Sequence, residues 1–236
     1  DRYESRGDIK QKLIRTLHEK SFTDDATRIW RGLRYEQRLN FQLESTTLKL
    51  LKQAIPMLDT ISGDRIRYEL ECILKEERPE KVLRRAEELM VLPKLSPTLK
   101  GREWLAEKFK RARQISSPNR PPLGLYLALL VYSLTNEENE RLISFLRLPK
   151  SLAQTLRDTI DIKTKLPSSA DPELSPSSIY RILHSYNPTA VTVNALACDS
   201  PTTHRRIHLF LDKLRYVKSA LTGNDLKRMG IAPGPH

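Results

Sequence analysis

The sequence has only two cysteines, Cys72 and Cys198, in 236 residues. They lie far apart and neither belongs to a C-x-x-C pair. That excludes a disulfide framework and a cysteine-based zinc site, and it fits a reducing, cytoplasmic setting. Aromatic residues are scarce too, at 6%. The alternating apolar period of half-buried strands is nearly absent, which argues against a β-sandwich. Long apolar runs are also missing. The longest is LGLYLALLVYSL, residues 123–134. It is too short to span the ~30 Å core of a bilayer and is expected to be a buried helix, so no membrane partner is expected. No signal-peptide pattern is present. The sequence starts at Asp1, without a methionine, and is expected to be a piece of something longer.

What is present in quantity is charge. Charged residues make up 30% of the chain and the formal net charge is +12. The excess is larger in residues 1–120 than in 121–236. A polyanionic partner is one reading, and plain solubility is the other.

Nearly every segment shows the helical period. The spacing predicts helices at about 26–40, 45–55, 63–76, 79–92, 98–114, 123–134, 136–147, 149–161, 176–186, 188–197 and 201–221. Ser45 is the expected cap of the second, and Pro56 its end. Pro79 fits a first turn, Thr135 and Glu138 a capping box, and Ser175-Pro176 a helix start. LIRTLH, 13–18, is the one strand candidate. SSPNRPP, 116–122, is the clearest punctuation, and a domain boundary is expected there. TKLPSSADPELSPSS, 164–178, reads as a loop. The expected fold class is all-α, an elongated multi-helix array with at most a short N-terminal strand or hairpin.

One helix stands out. TDDATRIWRGLRYEQRLNF, 23–41, carries Asp24 and Asp25 at its start and arginines at 28, 31, 34 and 38. At about 100° per residue the four arginines fall within about 120°, opposite Ile29, Trp30 and Leu33. Asp25 is a natural N-cap, so Asp25 and Arg28 project from the same end. A solvated or ion-paired arginine face would explain the pattern. Yet Glu36 is the only acid inside the helix, and guanidinium forks match phosphate oxygens. A carboxylate beside a guanidinium can also read a base edge. Cytosine and adenine offer an amine donor next to an acceptor, and uracil and guanine the reverse.

Residues 23–55, TDDATRIWRGLRYEQRLNFQLESTTLKLLKQAI, resemble a hallmark of the bacterial tRNA nucleotidyltransferases. These are the CCA-adding and A-adding enzymes with their poly(A) polymerase relatives. SGDRIRYELECIL, 62–74, resembles the family's next neck helix, and LTGNDLKRMGIAPGP, 221–235, its C-terminal signature. GDIKQKLIRTLH, 7–18, looks like the last hairpin of the catalytic head. The resemblance implies residues 1–22 as the end of that head, 23–115 as neck, and 123–236 as body and tail. It implies Asp25 and Arg28 as the template for the incoming base of ATP or CTP. Arg31 and Arg34 would contact the nucleotide, and Asp24 would support Arg28 or the cap. Two positions depart from the family pattern. Ala26 stands where proline is usual, and Gly32 where alanine is usual. HEKSF, 18–22, resembles the A-adding branch.

The family's catalytic head carries a glycine-rich nucleotide loop and an Asp-x-Asp pair for magnesium ions. Neither occurs in this sequence. Phosphoryl transfer needs such carboxylates, so the chain is expected to be catalytically inert alone, with the Mg2+ ligands outside it. Asp158 and Asp161 are expected on a solvated helix face. Two basic clusters are candidates for gripping the acceptor arm of tRNA. The first includes Lys100, Arg102, Lys108, Lys110, Arg111 and Arg113. The second is HRRIHLFLDKLRYVK, 204–218, with Arg205, Arg206, Lys213, Arg215 and Lys218. His204 and His208 could ligate a metal, but no third ligand is evident. Trp30 and Trp104 read as core. A stand-alone helical RNA-binding module and a helical protein-binding scaffold remain as alternatives.

Overall fold

The structure is a computed structural model that describes residues 5–168, 174–217 and 227–230. Among them are thirteen α-helices and one two-stranded sheet. The chain opens with α1 (Ser5–Gln11), β1 (Leu13–Ile14), α2 (Ser21–Asp24) and α3 (Thr27–Leu39). No hairpin forms at the expected place. β1 instead pairs in parallel with β2 (Gln42–Leu43), and it is shorter than the expected 13–18 because only two partner residues are offered. Asn40 makes that return possible. It adopts the left-handed conformation, φ 53°, which asparagine tolerates and which stops α3.

Next come α4 (Ser45–Ala54), α5 (Gly63–Leu74), α6 (Pro79–Glu88) and α7 (Glu103–Ser116). The cap of α4 is Glu44, not Ser45: its carboxylate accepts from the amides of Thr46 and Thr47, both at 2.9 Å. Pro56 does not end the helical course but turns it into a 3-10 segment, Ile55–Thr60. α5 begins on a glycine for a steric reason. A Cβ at Gly63 would stand 1.6 Å from the Phe145 carbonyl oxygen.

The second half holds α8 (Leu123–Leu130), α9 (Asn136–Phe145), α10 (Lys150–Ser168), α11 (Pro176–Leu183), α12 (Pro188–Ala197) and α13 (Pro201–Asp212). α8 is apolar all round and buried from Gly124 to Leu130, as the 123–134 run requires. The capping box of Thr135 and Glu138 is present at α9, and Ser175 caps α11 with Pro176 in its first turn. α10 runs to Ser168, into the expected loop. α13 ends at Asp212 and is followed by a 3-10 turn, Leu214–Tyr216. The 221–235 signature lies outside the described residues except for 227–230.

One apolar core runs from Phe22 to Ala197 and includes residues on both sides of 116–122. The Pro-rich stretch is therefore a surface turn and does not divide the core. A second core joins Ile162 and Leu166 of α10 to Ile179, Leu183, Ile207 and Phe210. Helices pack largely on partners two or more elements away in sequence, as in α3 with α5 and α6, or α12 with α10 and α8. No helix among the described residues is long and apolar enough to cross a membrane.

Candidate functional site: an arginine face on α3

α3 turns Ile29, Trp30 and Leu33 inward, each 0–1% exposed. Its opposite face meets α5. The arginines are compensated, but from that neighbour rather than from within α3. Arg31 Nε donates to Glu69 Oε1 at 2.6 Å, and Arg34 Nη1 donates to Glu76 Oε1 at 3.3 Å. Arg38 Nε lies 3.9 Å from Glu76 Oε2. Glu36, the acid inside α3, faces elsewhere. It is buried, accepts from the Leu43 amide and receives Arg85 Nε of α6 at 2.9 Å.

Asp25 sits just before the helix. Its Oδ1 accepts from the Thr27 amide at 3.1 Å, the Thr27 hydroxyl at 2.6 Å and Arg65 Nη2 at 2.9 Å. Oδ2 receives none of these bonds. Burial pushes the Asp25 carboxyl up, but Thr27's hydroxyl and amide and the charges of Arg65 and Arg31 outweigh it and hold the group below the usual carboxylate range. Asp25 is thus a fixed anion with one oxygen left to accept. Arg28, one turn on, is exposed, and only its Nη1 is engaged, by the Ser21 carbonyl at 3.0 Å. Asp24 is not against Arg28. It is half exposed and stands 4.0 Å from His18.

The other site arginines differ in freedom. Arg31 is 44% exposed, whereas Arg34 is only 13% exposed, paired with Glu76, and stacked over the Tyr35 ring at 4.8 Å. Glu69 is buried, and its second oxygen has no hydrogen-bond partner. Arg65, Glu69, Glu76 and Arg85 were not among the expected site residues. A signal for three of them was in the sequence, since 65, 69, 72 and 76 recur at helical spacing on one face of the 63–76 segment.

The two basic clusters fare unevenly. Lys108 is a correction: it is buried, 5.5 Å from the Trp104 ring centre, with Asp199 at 3.8 Å. It lies with Leu105, Phe109 and Ala112 on the inward face of α7. Arg113 is held by both oxygens of Glu80, at 2.7 and 2.9 Å, and Arg206 is buried. None of these three presents an open cation. Lys110, Arg111, Arg205, Lys213 and Arg215 are exposed, although Arg111 pairs with Glu107 and Arg215 stacks on Tyr216. Lys218 lies outside the described residues. The clusters are neighbours in space. Burial, His208, Arg111 and Lys108 together push the His204 imidazole below its ordinary value. The two histidine rings lie 4.3 Å apart, and no group of three metal-ligating side chains occurs among the described residues.

Trp30 is core, and Trp104 is partly buried and stacked on Tyr132. Asp158 is not on a solvated face: it is buried and accepts from the Asn187 amide at 2.8 Å. Asp161 is partly exposed, pairs with Lys165 and accepts from the Tyr186 hydroxyl at 2.7 Å.

Residues 40–101 match the family described as the probable RNA and SrmB-binding site of polymerase A. An A-adding tRNA nucleotidyltransferase from Aquifex aeolicus is 29% identical over 235 residues, covering 95% of this chain and 28% of that protein. One from Halalkalibacterium halodurans is 25% identical over 240 residues, covering 100% of this chain and 55% of that protein. Among solved structures, a CCA-adding enzyme in complex with CTP has a TM-score of 0.77 and 28% identity, over 98% of this chain and 57% of that one. The Thermotoga maritima CCA-adding enzyme complexed with tRNA gives 0.76 and 28%, over 99% and 59%. The chain thus spans between about a quarter and just over half of the curated relatives it matches.

Proposed function

From its kinship with the A-adding and CCA-adding tRNA nucleotidyltransferases, we propose that this chain is the base-selecting and RNA-binding portion of such an enzyme. The observation that carries the proposal is the state of Asp25. Three donors fix Oδ1, the group is held ionised, and Oδ2 takes none of those bonds, at the helix start whose first turn carries Arg28.

Oδ2 would accept from the exocyclic amine of cytosine or adenine while Arg28 donates to the adjacent ring nitrogen. Uracil and guanine would set a carbonyl against the carboxylate. Each unpaired group costs ~1–3 kcal/mol, which is roughly 5- to 150-fold in discrimination. Arg31, 44% exposed beyond its bond to Glu69, would meet a phosphate or ribose. Arg34 would have to leave Glu76 to do so.

These residues do not assemble a magnesium site: Arg65 holds Asp25, Arg31 holds Glu69, and no three metal-ligating side chains come together among the described residues, so no catalytic step is assigned to them. The carboxylates for phosphoryl transfer belong, in this reading, to a longer chain, and the present one is inert alone.

The test uses the longer chain, with CTP, ATP, UTP and GTP offered to tRNA ending at the discriminator base and to tRNA carrying one or two added cytidines. Addition of C, C and A marks a CCA-adding enzyme, and addition of A alone after two cytidines marks the A-adding branch. Asp25→Ala is expected to lower discrimination against UTP and GTP at least tenfold while tRNA affinity stays within about twofold, a loss the size of one unpaired group. Unchanged base choice in that variant, or incorporation by the 236-residue chain alone, overturns the proposal.

A further inference from the structure

A cleft of about 780 Å³ opens between the C-terminal half of α3, the end of α5 and the start of α6. Its lining begins at Arg34, about 9 Å along α3 from Arg28 at ~1.5 Å per residue. Six cations line it: Arg34, Arg38, Lys75, Arg78, Lys81 and Arg120. Two acids, Glu76 and Glu77, line it as well, and Arg34 and Arg38 take Glu76. Arg120 is brought in by the 116–122 turn, where its Nη1 donates to the Lys75 carbonyl at 3.1 Å. Lys75, Arg78 and Lys81 are exposed and enter no ion pair among the described residues. Glu77 is thus left against four cations.

A second cleft shares Gln37, Arg78 and Lys81 with the first and is also lined by Glu80, Arg84, Arg85 and Glu88. Arg84 pairs with Glu103, Arg85 with Glu36 and Glu88, and Glu80 with Arg113, so Arg78 and Lys81 are the cations left open where the two clefts meet. The cleft offers no apolar anchor. Val82, which lines it, is 1% exposed. Protein partners are held chiefly by aromatic and aliphatic anchors in pockets, whereas a row of unpaired cations suits a strand of regularly spaced phosphates.

We infer that this cleft holds the sugar-phosphate backbone of an RNA strand, with Lys75, Arg78 and Lys81 as its principal phosphate contacts. The inference rests on the RNA-binding reading given above and locates it on residues outside both basic clusters of the sequence.

The test is RNA binding by the 236-residue chain across a salt series, using a hairpin with a single-stranded 3′ tail. The triple variant Lys75→Gln, Arg78→Gln, Lys81→Gln is expected to weaken binding at least tenfold and to flatten the log-affinity against log-salt slope by about two, at ~0.7–0.9 per lost contact. Lys75→Arg with Lys81→Arg should bind like the parent, and circular dichroism should be unchanged in both. Parent-like affinity and slope in the folded triple variant overturn the cleft while leaving the RNA reading intact. No RNA binding by the parent at ~50 mM salt, where phosphate contacts are strongest, overturns both. Charge-dependent capture of polyglutamate with no effect on RNA binding would replace the RNA occupant with an acidic protein.

Discussion

Backbone amides fix a carboxylate at the start of α4 more firmly than the nearby arginine does. Glu44 is bonded by two amides and by the Ser45 hydroxyl, whereas Arg15 stands 3.9 Å away. The Thr46 and Thr47 amides hold its carboxyl down at about 2, against an ordinary 4.5. The folded value lies below the unfolded one, so this contribution to stability is complete above pH 4.5 and is lost as pH falls toward 2. Glu44→Gln should be less stable than the parent at pH 7 and lose less stability over that acid window, measured as urea midpoints against pH. Parallel curves for the two chains would remove Glu44 from the acid response. The cap residue was not legible because Ser45 has the short hydroxyl that caps prefer, and nothing local says that the longer Glu44 can curl back onto two amides. Lys108 departs from expectation for a different reason. Positions 105, 108, 109 and 112 are one face of a helix, so periodicity places the lysine inward, while its charge alone suggests an exposed phosphate contact.

α3 shows what helical arithmetic can and cannot give. The angles about the axis correctly separated the arginines from Ile29, Trp30 and Leu33. They could not say which helix would lie across the arginine face, because docking depends on loop geometry and on a second helix with a matching stripe. Arg65, Glu69 and Glu76 supply that stripe. Gly32 lies within the same helix, and its replacement is open to test. A Cβ there would stand 3.8 Å from Leu43 Cδ2, an ordinary contact, and a mid-helix glycine costs ~0.5–1 kcal/mol relative to alanine. Gly32→Ala should therefore raise the stability of the chain by about that amount, read as a shift in the denaturation midpoint at constant slope. Because the added methyl would meet no other side chain than Leu43 within 4 Å, Asp25 and Arg28 should be undisturbed. A destabilised Gly32→Ala chain would mean that the α3–β2 contact is tighter than the 3.8 Å separation indicates.

At the scale of the whole molecule, the proline-rich turn invited a boundary at 116–122, yet the chain is not organised around it. Composition marks where backbone is exposed and carries no information about which apolar faces meet across the turn. The two cores are joined instead through α10 and α12, each of which contributes to both. Ala153 and Leu156 belong to the first and Ile162 and Leu166 to the second, and Val193 and Ala197 stand opposite Ala190 and Val191 in the same division. Polar bonds lock these two helices at the junction. Asp158 accepts from the Asn187 amide, and Asn194 Nδ2 donates to the Thr159 carbonyl at 3.0 Å. Both side chains are buried, so removing either leaves a group unsatisfied at ~1–3 kcal/mol. Both tryptophans belong to or pack on the first core, so their fluorescence reports that core, while far-UV circular dichroism also counts α11 and α13 of the second. In the parent chain the two urea transitions should coincide, as in a cooperative unit. In Asp158→Ala with Asn194→Ala the dichroism should begin to fall at lower urea than the fluorescence, because the second core is released first. Transitions that shift together in the double variant would show that apolar contact along α10 and α12 alone couples the cores, and that the buried polar bonds only add to their common stability.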